Sequence, residues 1–142
     1  MDVTWDPNAP DAVLVSDDCG RGALALRAHP DDSDRRTVLL RFDLAVYALM
    51  TPPNDEALSH HPLSEHGLKE LTWLGVVRDS TLVARLRPSW SRVAEMHLHP
   101  THFILPLKEC VVEVVAATVD LFRLDLSTHR AALGAIEPGH PL

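Results

Sequence analysis

The sequence predicts a mainly β (α+β) protein, an antiparallel β-barrel or tight sandwich with one or two short helices over one end. Eleven prolines in 142 residues divide the chain into short elements, which favours strands over a helical bundle. Residues 37–50 show the period of two that is typical of a strand, and residues 103–125 are rich in valine. The connections between the elements are short, so we expect neighbouring strands to be antiparallel.

Four elements are expected before residue 51: strands at 12–16 and 23–28, a polar loop at 29–36, and one long strand at 37–50. In the long strand, Val38, Leu40, Phe42, Leu44 and Val46 share one parity and are expected to face the core. Spacings of three and four also fit a helix there, but the β-branched and aromatic content favours a strand.

After residue 62 the expected elements are a helical turn or two at 63–71, a strand at 72–78, a helix after an N-cap at 79–81, two or three strands at 103–125, and a short helix at 126–136. Pro88 is expected to end or kink the first of these helices. Pro106 is expected to mark a strand edge or a bulge.

The length of the chain fits a single domain over residues 1–142 that buries a core without disulfides or metals. Each end holds two prolines, and we expect residues 1–11 and 137–142 to be flexible. Residues 110–119 are apolar with few charges. Because such a strand can leave an uncovered edge or face, we expect a homodimer.

The net charge of -7 argues against nucleic acid and anionic membrane as partners, since both bind clustered basic residues. The N-terminus lacks the basic and apolar regions of a secretory signal, and no apolar stretch approaches the roughly 20 residues of a membrane span. Cys19 and Cys110 lack the spacing of a disulfide framework or a zinc site. We therefore expect a cytoplasmic protein.

Residues 51–71, TPPNDEALSHHPLSEHGLKEL, form a histidine-rich segment with many groups that bind or titrate in few positions. The segment separates the two strand-rich halves, so we expect it to lie across the mouth of the fold as the lip of a site. Asn54 and Glu56 could serve that site, or they could instead cap the helix that follows. Tyr47, near the end of its predicted strand, could reach the same mouth.

Glu109 and Glu113 lie in the most apolar region of the chain. A carboxylate there must face solvent, find a partner or be protonated, because burying a bare charge is too costly. On one strand the two would lie about 13 Å apart, at about 3.3 Å per residue. That separation exceeds the roughly 9.5 Å of a glycosidase carboxylate pair, so they would act from different ends of a cavity.

His97 and His99 alternate in a way that resembles the start of a cupin metal motif, and His102 could complete a metal site. The glutamate and glycine that follow in the cupin motif are missing here. We therefore expect no obligate metal, with a metal site at these three histidines as the alternative.

The segment PNDEALSHHPLSEHGL, residues 53–68, resembles a P-N-D-E-A-x-x-x-H-P-L-x-x-x-G-L motif of small, mostly actinobacterial proteins of unassigned function. HFILPLKECVVEV, residues 102–114, is similar to a later segment of those proteins, H-F-x-x-x-F-H-D-x-T-F-E-C, with Lys108 and Glu109 in place of His-Asp. The resemblance implies no activity. It implies that five residues belong to one cluster: Asn54, Glu56, His61, His102 and Glu113.

These groups predict a small-molecule enzyme that uses general acid–base chemistry, such as isomerisation, cyclisation, dehydration or hydrolysis, without a cofactor. We expect His61 to be the acid or base, Glu113 or Glu56 its partner, and Asn54 a donor to a developing oxyanion. The further candidates are His102 for catalysis, and Tyr47 and Glu109 for binding a small organic molecule.

Two alternatives remain open from the sequence. The first is a non-catalytic module that binds a small molecule or a partner in the same pocket, and the second is a cupin-like metal-dependent enzyme. The sequence holds no Gly-rich phosphate loop, no GxSxG and no CxxC. Their absence argues against nucleotide hydrolases, serine esterases and thiol redox enzymes.

Overall fold

A computed structural model of the chain describes residues 5, 11–90 and 99–137. Two four-stranded antiparallel sheets pack face to face, which confirms the mainly β class and selects the sandwich rather than a closed barrel. The first sheet has the order β1–β2–β3–β8, with bounds Val13–Ser16, Arg21–Leu26, Thr37–Asp43 and Thr118–Leu124. The second has the order β4–β7–β6–β5, with bounds Tyr47–Thr51, Val111–Ala116, Thr101–Pro106 and Gly75–Val77.

The core lies between the two sheets and follows the period-2 pattern of their strands. Val38, Leu40 and Phe42 of β3 face Phe103 of β6 and Val114 of β7 across it. The rings of Phe42 and Phe103 lie 5.7 Å apart at 50°. Because these alternate residues fill the interior, the intervening residues of β6 and β7 must point away from the core.

The segment 37–50 is two strands rather than the single one expected. β3 ends at Asp43, Leu44 takes a left-handed φ of 52°, and β4 starts at Tyr47 in the other sheet. The Gly20 carbonyl accepts a hydrogen bond of 2.7 Å from the Ala45 amide, which fixes this crossover. The parity is lost at the break, so Leu44 and Val46 are exposed rather than buried.

The segment 103–125 forms three strands, β6, β7 and β8, and Pro106 is the last residue of β6. β7 lies between β4 and β6, and most of its side chains are buried. β7 is therefore not an edge strand, whereas β8, which begins with the last two residues of the segment 110–119, is an edge of the first sheet.

Two α-helices are described, α1 (Thr81–Trp90) and α2 (Thr128–Ile136). α2 packs Ala131, Ala132 and Ala135 on the outer face of the first sheet, so it covers a face and not an end as expected. α1 continues past Pro88 to Trp90, so this proline does not end the helix. Within the described part of the chain, no helix is long and apolar enough to cross a membrane.

The flexibility expected of residues 1–11 and 137–142 stays a prediction, and Trp5 is one of the few residues of these ends that the structure describes. This side chain is buried in the main core, where its ring meets the ring of Trp73 edge-on with centroids 5.3 Å apart. A bridge between Trp5 and Ala28 adds a backbone contact. Residues 1–4, 6–10 and 138–142 lie outside the described residues.

Candidate functional site

The candidate site is built on the outer face of the second sheet. Ile104 of β6 is paired with Glu113 of β7, so Glu113 and the alternate residue His102 point to the same side. Tyr47 of β4 is paired with Val115, two residues from Glu113, and also lies on this side. The register of three strands therefore places three polar side chains together, opposite the core.

The histidine-rich segment covers this outer face. It contains two 3₁₀ helices, Asp55–His60 and Ser64–His66. Apolar residues from the segment, including Leu58, Leu63 and Leu68, pack with Ile104 and Val111 of the sheet. We expected the segment to lie across the mouth of the fold as the lip of a site; it packs on the outer face of the second sheet, where it borders the cavity described below.

His61 is held between the two 3₁₀ helices. Its amide donates to the Leu58 carbonyl at 3.0 Å, and its own carbonyl accepts from the Ser64 amide at 2.9 Å. Its Nδ1 accepts a hydrogen bond of 3.1 Å from the Leu63 amide. The side chain is buried, and these contacts fix both the backbone and the ring.

Ser80 is placed by the turn between β5 and α1. Asp79 takes a left-handed φ of 49°, and Ser80 then caps α1. The Ser80 carbonyl accepts from the Ala84 amide at 3.0 Å, and its Oγ accepts from the Val83 amide at 3.1 Å. This is the capping arrangement expected for residues 79–81.

Glu113 is at the centre of the cluster. Its Oε1 lies 3.1 Å from Nε2 of His102, and its Oε2 lies 3.6 Å from Nε2 of His61. The three side chains are 15%, 2% and 6% exposed, respectively. Ser80 Oγ lies 2.8 Å from Nδ1 of His102, which adds a fourth member.

The contact between His102 and Glu113 is close but not aligned. Nε2 of His102 makes no well-directed hydrogen bond within the described residues, although the carboxylate oxygen is only 3.1 Å away. We therefore treat the contact as an ion-pair approach, with the N–H directed partly past the carboxylate. A ligand oxygen in the adjoining cavity is a fitting partner for this buried donor.

The hydrogen bonds assign the ring protons. A neutral imidazole has one N–H and one lone pair, and Nδ1 of His61 uses its lone pair on the Leu63 amide. Nε2 of His61 therefore carries the proton and turns it toward Glu113. Ser80 Oγ already accepts from Val83, which leaves its own proton free for Nδ1 of His102. His102 then also turns an Nε2–H toward Glu113.

The cluster shifts two pKa values in opposite directions. The imidazole of His102 holds the pKa of Glu113 below its usual value of 4.5; burial opposes this, and His61 adds to the lowering. The pKa of Tyr47 is raised from 10.0, first by burial and then by the Glu113 charge, while Arg85 acts against the rise. At neutral pH the site therefore pairs a carboxylate with a phenol that keeps its proton.

A cavity of about 760 Å³ adjoins the cluster, bounded by the sheet face, the histidine-rich segment and the start of α1. Its apolar lining includes Leu68, Leu71 and Ile104. Arg78 and Arg85 are exposed at its edge, and neither forms an ion pair with any residue that the structure describes. The cavity thus combines an apolar wall, a carboxylate with proton donors, and two arginines that have no ion-pair partner in the described part of the chain.

The ring tautomers also bear on metal binding. Among residues 5, 11–90 and 99–137, no group of three or more His, Cys, Asp or Glu side chains is arranged to hold a metal ion. Nε2 of His61, once protonated, has no lone pair to offer a metal. Of the alternative metal residues, His97 lies outside the described residues, His99 is exposed, and His102 belongs to the Glu113 cluster.

The structure brings together four of the seven residues predicted for catalysis and binding, namely Tyr47, His61, His102 and Glu113. The predicted proximity of His61 and Glu113 is confirmed at 3.6 Å.

Three predicted residues lie elsewhere. Asn54 caps the first 3₁₀ helix by accepting from the Ala57 amide at 3.2 Å, which is the capping alternative, and Glu56 is exposed on that helix. Glu109 is exposed in the turn between β6 and β7, because the strand that carries Glu113 starts only at Val111. Asn54 and Glu109 instead line a second, smaller and more open cavity.

Sequence reasoning missed Ser80 and Arg85 as members of the site. Ser80 carries the signal of a helix cap, and that role conceals its contact with His102, 22 residues further along the chain. Arg85 carries only the signal of a solvated helix face. Both reach the cavity because α1 starts directly beside the outer face of β6, a long-range feature that local patterns do not encode.

The fold and site define a two-sheet antiparallel sandwich with a histidine–carboxylate cavity on the outer face of one sheet. No protein-family model matches the chain, and no curated protein or solved structure matches it either.

Proposed function

We propose that this protein is a small-molecule enzyme that works by general acid–base chemistry, with Glu113 as its central group. The observation that carries the proposal is a largely buried carboxylate with two imidazole Nε2 atoms within 3.6 Å, at the wall of a cavity. Titratable groups that perturb one another inside a cleft are typical of catalytic sites.

The tautomers favour Glu113, rather than His61, as the proton acceptor. Nδ1 of His61 is used by the Leu63 amide, and its Nε2–H is turned toward the carboxylate, so this ring has no free lone pair for a substrate. Glu113 is ionised at neutral pH because its pKa is lowered. In this assignment the two imidazoles orient and stabilise the carboxylate that takes the proton.

Tyr47 is the complementary proton donor. Its raised pKa keeps the phenol protonated, and its hydroxyl can donate to negative charge that develops on a substrate oxygen. Glu113 would remove a proton from the substrate while Tyr47 stabilises the resulting oxyanion. Return of that proton from Glu113 to a different carbon completes an isomerisation, and its departure with a substrate hydroxyl as water completes a dehydration. The same groups also support the addition of water in a hydrolysis.

The substrate that fits best is a small organic anion with an apolar body. Arg78 and Arg85 supply two cations without carboxylate partners among the described side chains, and the leucine-rich wall would contact the apolar part.

As in the prediction from the sequence, the proposed chemistry needs no redox cofactor. The cytoplasmic location and the homodimer also remain predictions, the latter to be tested by light scattering across a hundredfold dilution.

The test is to incubate purified protein with a bacterial metabolite extract and to follow small molecules by mass spectrometry. The wild type should consume at least one organic anion, and Glu113→Gln should slow that consumption at least about 100-fold. Glu109→Gln is the matched control, since it makes the same change on the exposed turn before β7. Equal consumption by wild type and Glu113→Gln would refute the proposal.

A non-catalytic binding module is the second candidate, and the same cavity supports it. In that case the protein would retain a metabolite through size exclusion without changing its mass. Glu113→Gln would then weaken retention, and no product would form with any variant.

A further inference from the structure

We propose that Ser80 is a nucleophile that forms a covalent acyl-enzyme with carboxylic esters or thioesters, activated by His102 and Glu113. This inference rests on the proposed function in using the same cavity and the same carboxylate. It goes further in naming a covalent step, the residue that carries it, and the chemical class of the substrate.

The first support is the chain of contacts. Ser80 Oγ lies 2.8 Å from Nδ1 of His102, and Nε2 of the same ring lies 3.1 Å from Oε1 of Glu113. A hydroxyl within 2.6–3.2 Å of an imidazole whose other nitrogen faces a carboxylate is the arrangement that activates serine nucleophiles. Here Nδ1 faces the serine and Nε2 the acid, which reverses the ring but keeps the order of the three groups.

The second support is the direction of the hydrogen bonds. The Val83 amide donates to Ser80 Oγ at 3.1 Å, so the serine proton is left for the imidazole lone pair. His102 is 2% exposed, and its buried Nε2 has no well-aligned partner within the described residues. Burial and the contact with Ser80 hold the ring with Nδ1 as the base for Ser80, and Nε2 lies beside Glu113.

The third support is the local backbone. β5, the turn at Arg78 and Asp79, Ser80 and α1 form a strand–turn–helix in which the serine sits at the start of a helix. The same context presents the nucleophile in α/β-hydrolases, where the GxSxG motif makes the turn. In this chain Asp79 supplies the left-handed residue of the turn. The absence of GxSxG therefore argues only against a turn built from that motif.

The start of α1 also offers an oxyanion site. Ser80 Oγ occupies the amide of Val83, the third residue of the helix, and the first amides of a helix have no partner within it. Thr81 and Leu82, which carry the first two, both line the cavity. Backbone amides at this place can stabilise the negative oxygen of a tetrahedral intermediate.

The reaction balances without any group from outside the site except water. Ser80 Oγ bonds to the acyl carbon while its proton passes to Nδ1 of His102, and that proton then leaves with the alcohol or thiol as the C–O or C–S bond breaks. Water next attacks the acyl-enzyme and gives one proton to Nδ1. The carboxylic acid departs, and the proton returns to Ser80 Oγ.

The competing role of Ser80 is purely structural, as the cap of α1. The chain provides a matched control for that role, because Ser127 caps α2 by accepting from the Arg130 amide and is not part of the cavity. Asparagine also caps helices well but has no nucleophilic oxygen. Ser80→Asn and Ser127→Asn therefore make the same change at two helix caps, but only Ser80→Asn removes the proposed nucleophile.

The experiment uses an alkyl fluorophosphonate on the native full-length chain. The serine oxygen bonds to phosphorus, fluoride leaves, and the serine proton passes to His102. Intact mass and peptide mapping should show one adduct, on Ser80, and none after prior denaturation. Ser127→Asn should label at the wild-type rate, Ser80→Asn should not label, and His102→Gln should slow labelling at least about 100-fold.

Labelling of the wild type at a residue other than Ser80, or no labelling of the native protein, would overturn the inference. Both outcomes are measured on the wild type, so they do not depend on whether a variant folds. The metabolite assay tests the proposed acid–base function independently of the labelling experiment. If Glu113→Gln loses turnover while Ser80→Asn keeps it, the nucleophile is refuted and acid–base catalysis stands. If Ser80 labels but no metabolite is consumed in a Glu113-dependent way, the nucleophile stands and the proposed acid–base function fails.

Discussion

Nε2 of His102 lies 3.1 Å from Oε1 of Glu113, on adjacent strands of a sheet whose other face is the main core. The pairing of Ile104 with Glu113 sets this relationship, because it brings the alternate residue of β6 to the same side. The carboxylate cannot turn into the core, where Val112 and Val114 point, so it must find its partners on the outer face. The polar cluster is therefore a consequence of strand register.

Glu113 should contribute stability that depends on pH. Because its folded pKa is below the usual 4.5, its contribution is present above that value and is lost as the pH falls through the folded pKa. The difference in unfolding free energy between wild type and Glu113→Gln should be largest near neutral pH and shrink below pH 4.5. Urea denaturation at a series of pH values measures it, and a difference that grows on acidification would contradict the assignment.

His61→Ala should destabilise the fold by about 1–3 kcal/mol, because it leaves the Leu63 amide without its acceptor and Glu113 with one partner fewer. His60→Ala is the control, since that neighbouring side chain is exposed and should change stability by less than about 0.5 kcal/mol. Chemical denaturation at neutral pH compares the two. Similar losses of unfolding free energy in both variants would mean that the contacts of His61 with Leu63 and Glu113 do not stabilise the fold.

Tyr47 offers a direct report on the charges of the cavity, because it is the only tyrosine in the chain. Its phenolate absorbance should appear at a pH above 10.0 in the folded protein. Glu113→Gln should lower this midpoint, since it removes a negative neighbour, and Arg85→Gln should raise it, since it removes a positive one. An unchanged midpoint in both variants would contradict the assignment, because it would place the two charges too far from the phenol to act on it.

The two cysteines should differ in reactivity. Burial, together with the nearby Glu109, raises the pKa of Cys110 above 9.0, whereas Cys19 is exposed. The thiolate is the reactive form, so iodoacetamide should modify Cys19 first and Cys110 only slowly until the protein is unfolded. Peptide mapping over time gives both rates. Faster modification of Cys110 in the native state would contradict its placement.

The strand pattern of the sequence predicted the fold class, and the resemblance of residues 53–68 and 102–114 to the two actinobacterial motifs predicted that His61 and Glu113 lie together. A carboxylate in a valine run needs a polar neighbour, and alternation decides which face provides it. The break of the strand at Leu44 could not be predicted from the strand pattern. It depends on a left-handed residue supported by the Gly20 carbonyl, a contact between segments that no local pattern records.

The candidate site was predictable only where a residue had no good structural role. Asn54 fitted both a cap and a site, and the structure uses it as a cap. Ser80 shows the opposite case, since its capping signal is correct yet its hydroxyl also contacts His102. One side chain can satisfy a local rule and a long-range contact together, and sequence reasoning detects only the first.

The central claim is that Glu113 lies beside the Nε2–H groups of two imidazoles at the cavity wall. Nitrogen NMR of histidine-labelled protein tests it most directly, with His61→Gln and His102→Gln assigning two of the nine rings. In their neutral forms, both rings should carry the proton on Nε2 and keep the lone pair on Nδ1. A proton on Nδ1 of either ring would contradict the account, because that ring could not then accept from Leu63 or Ser80.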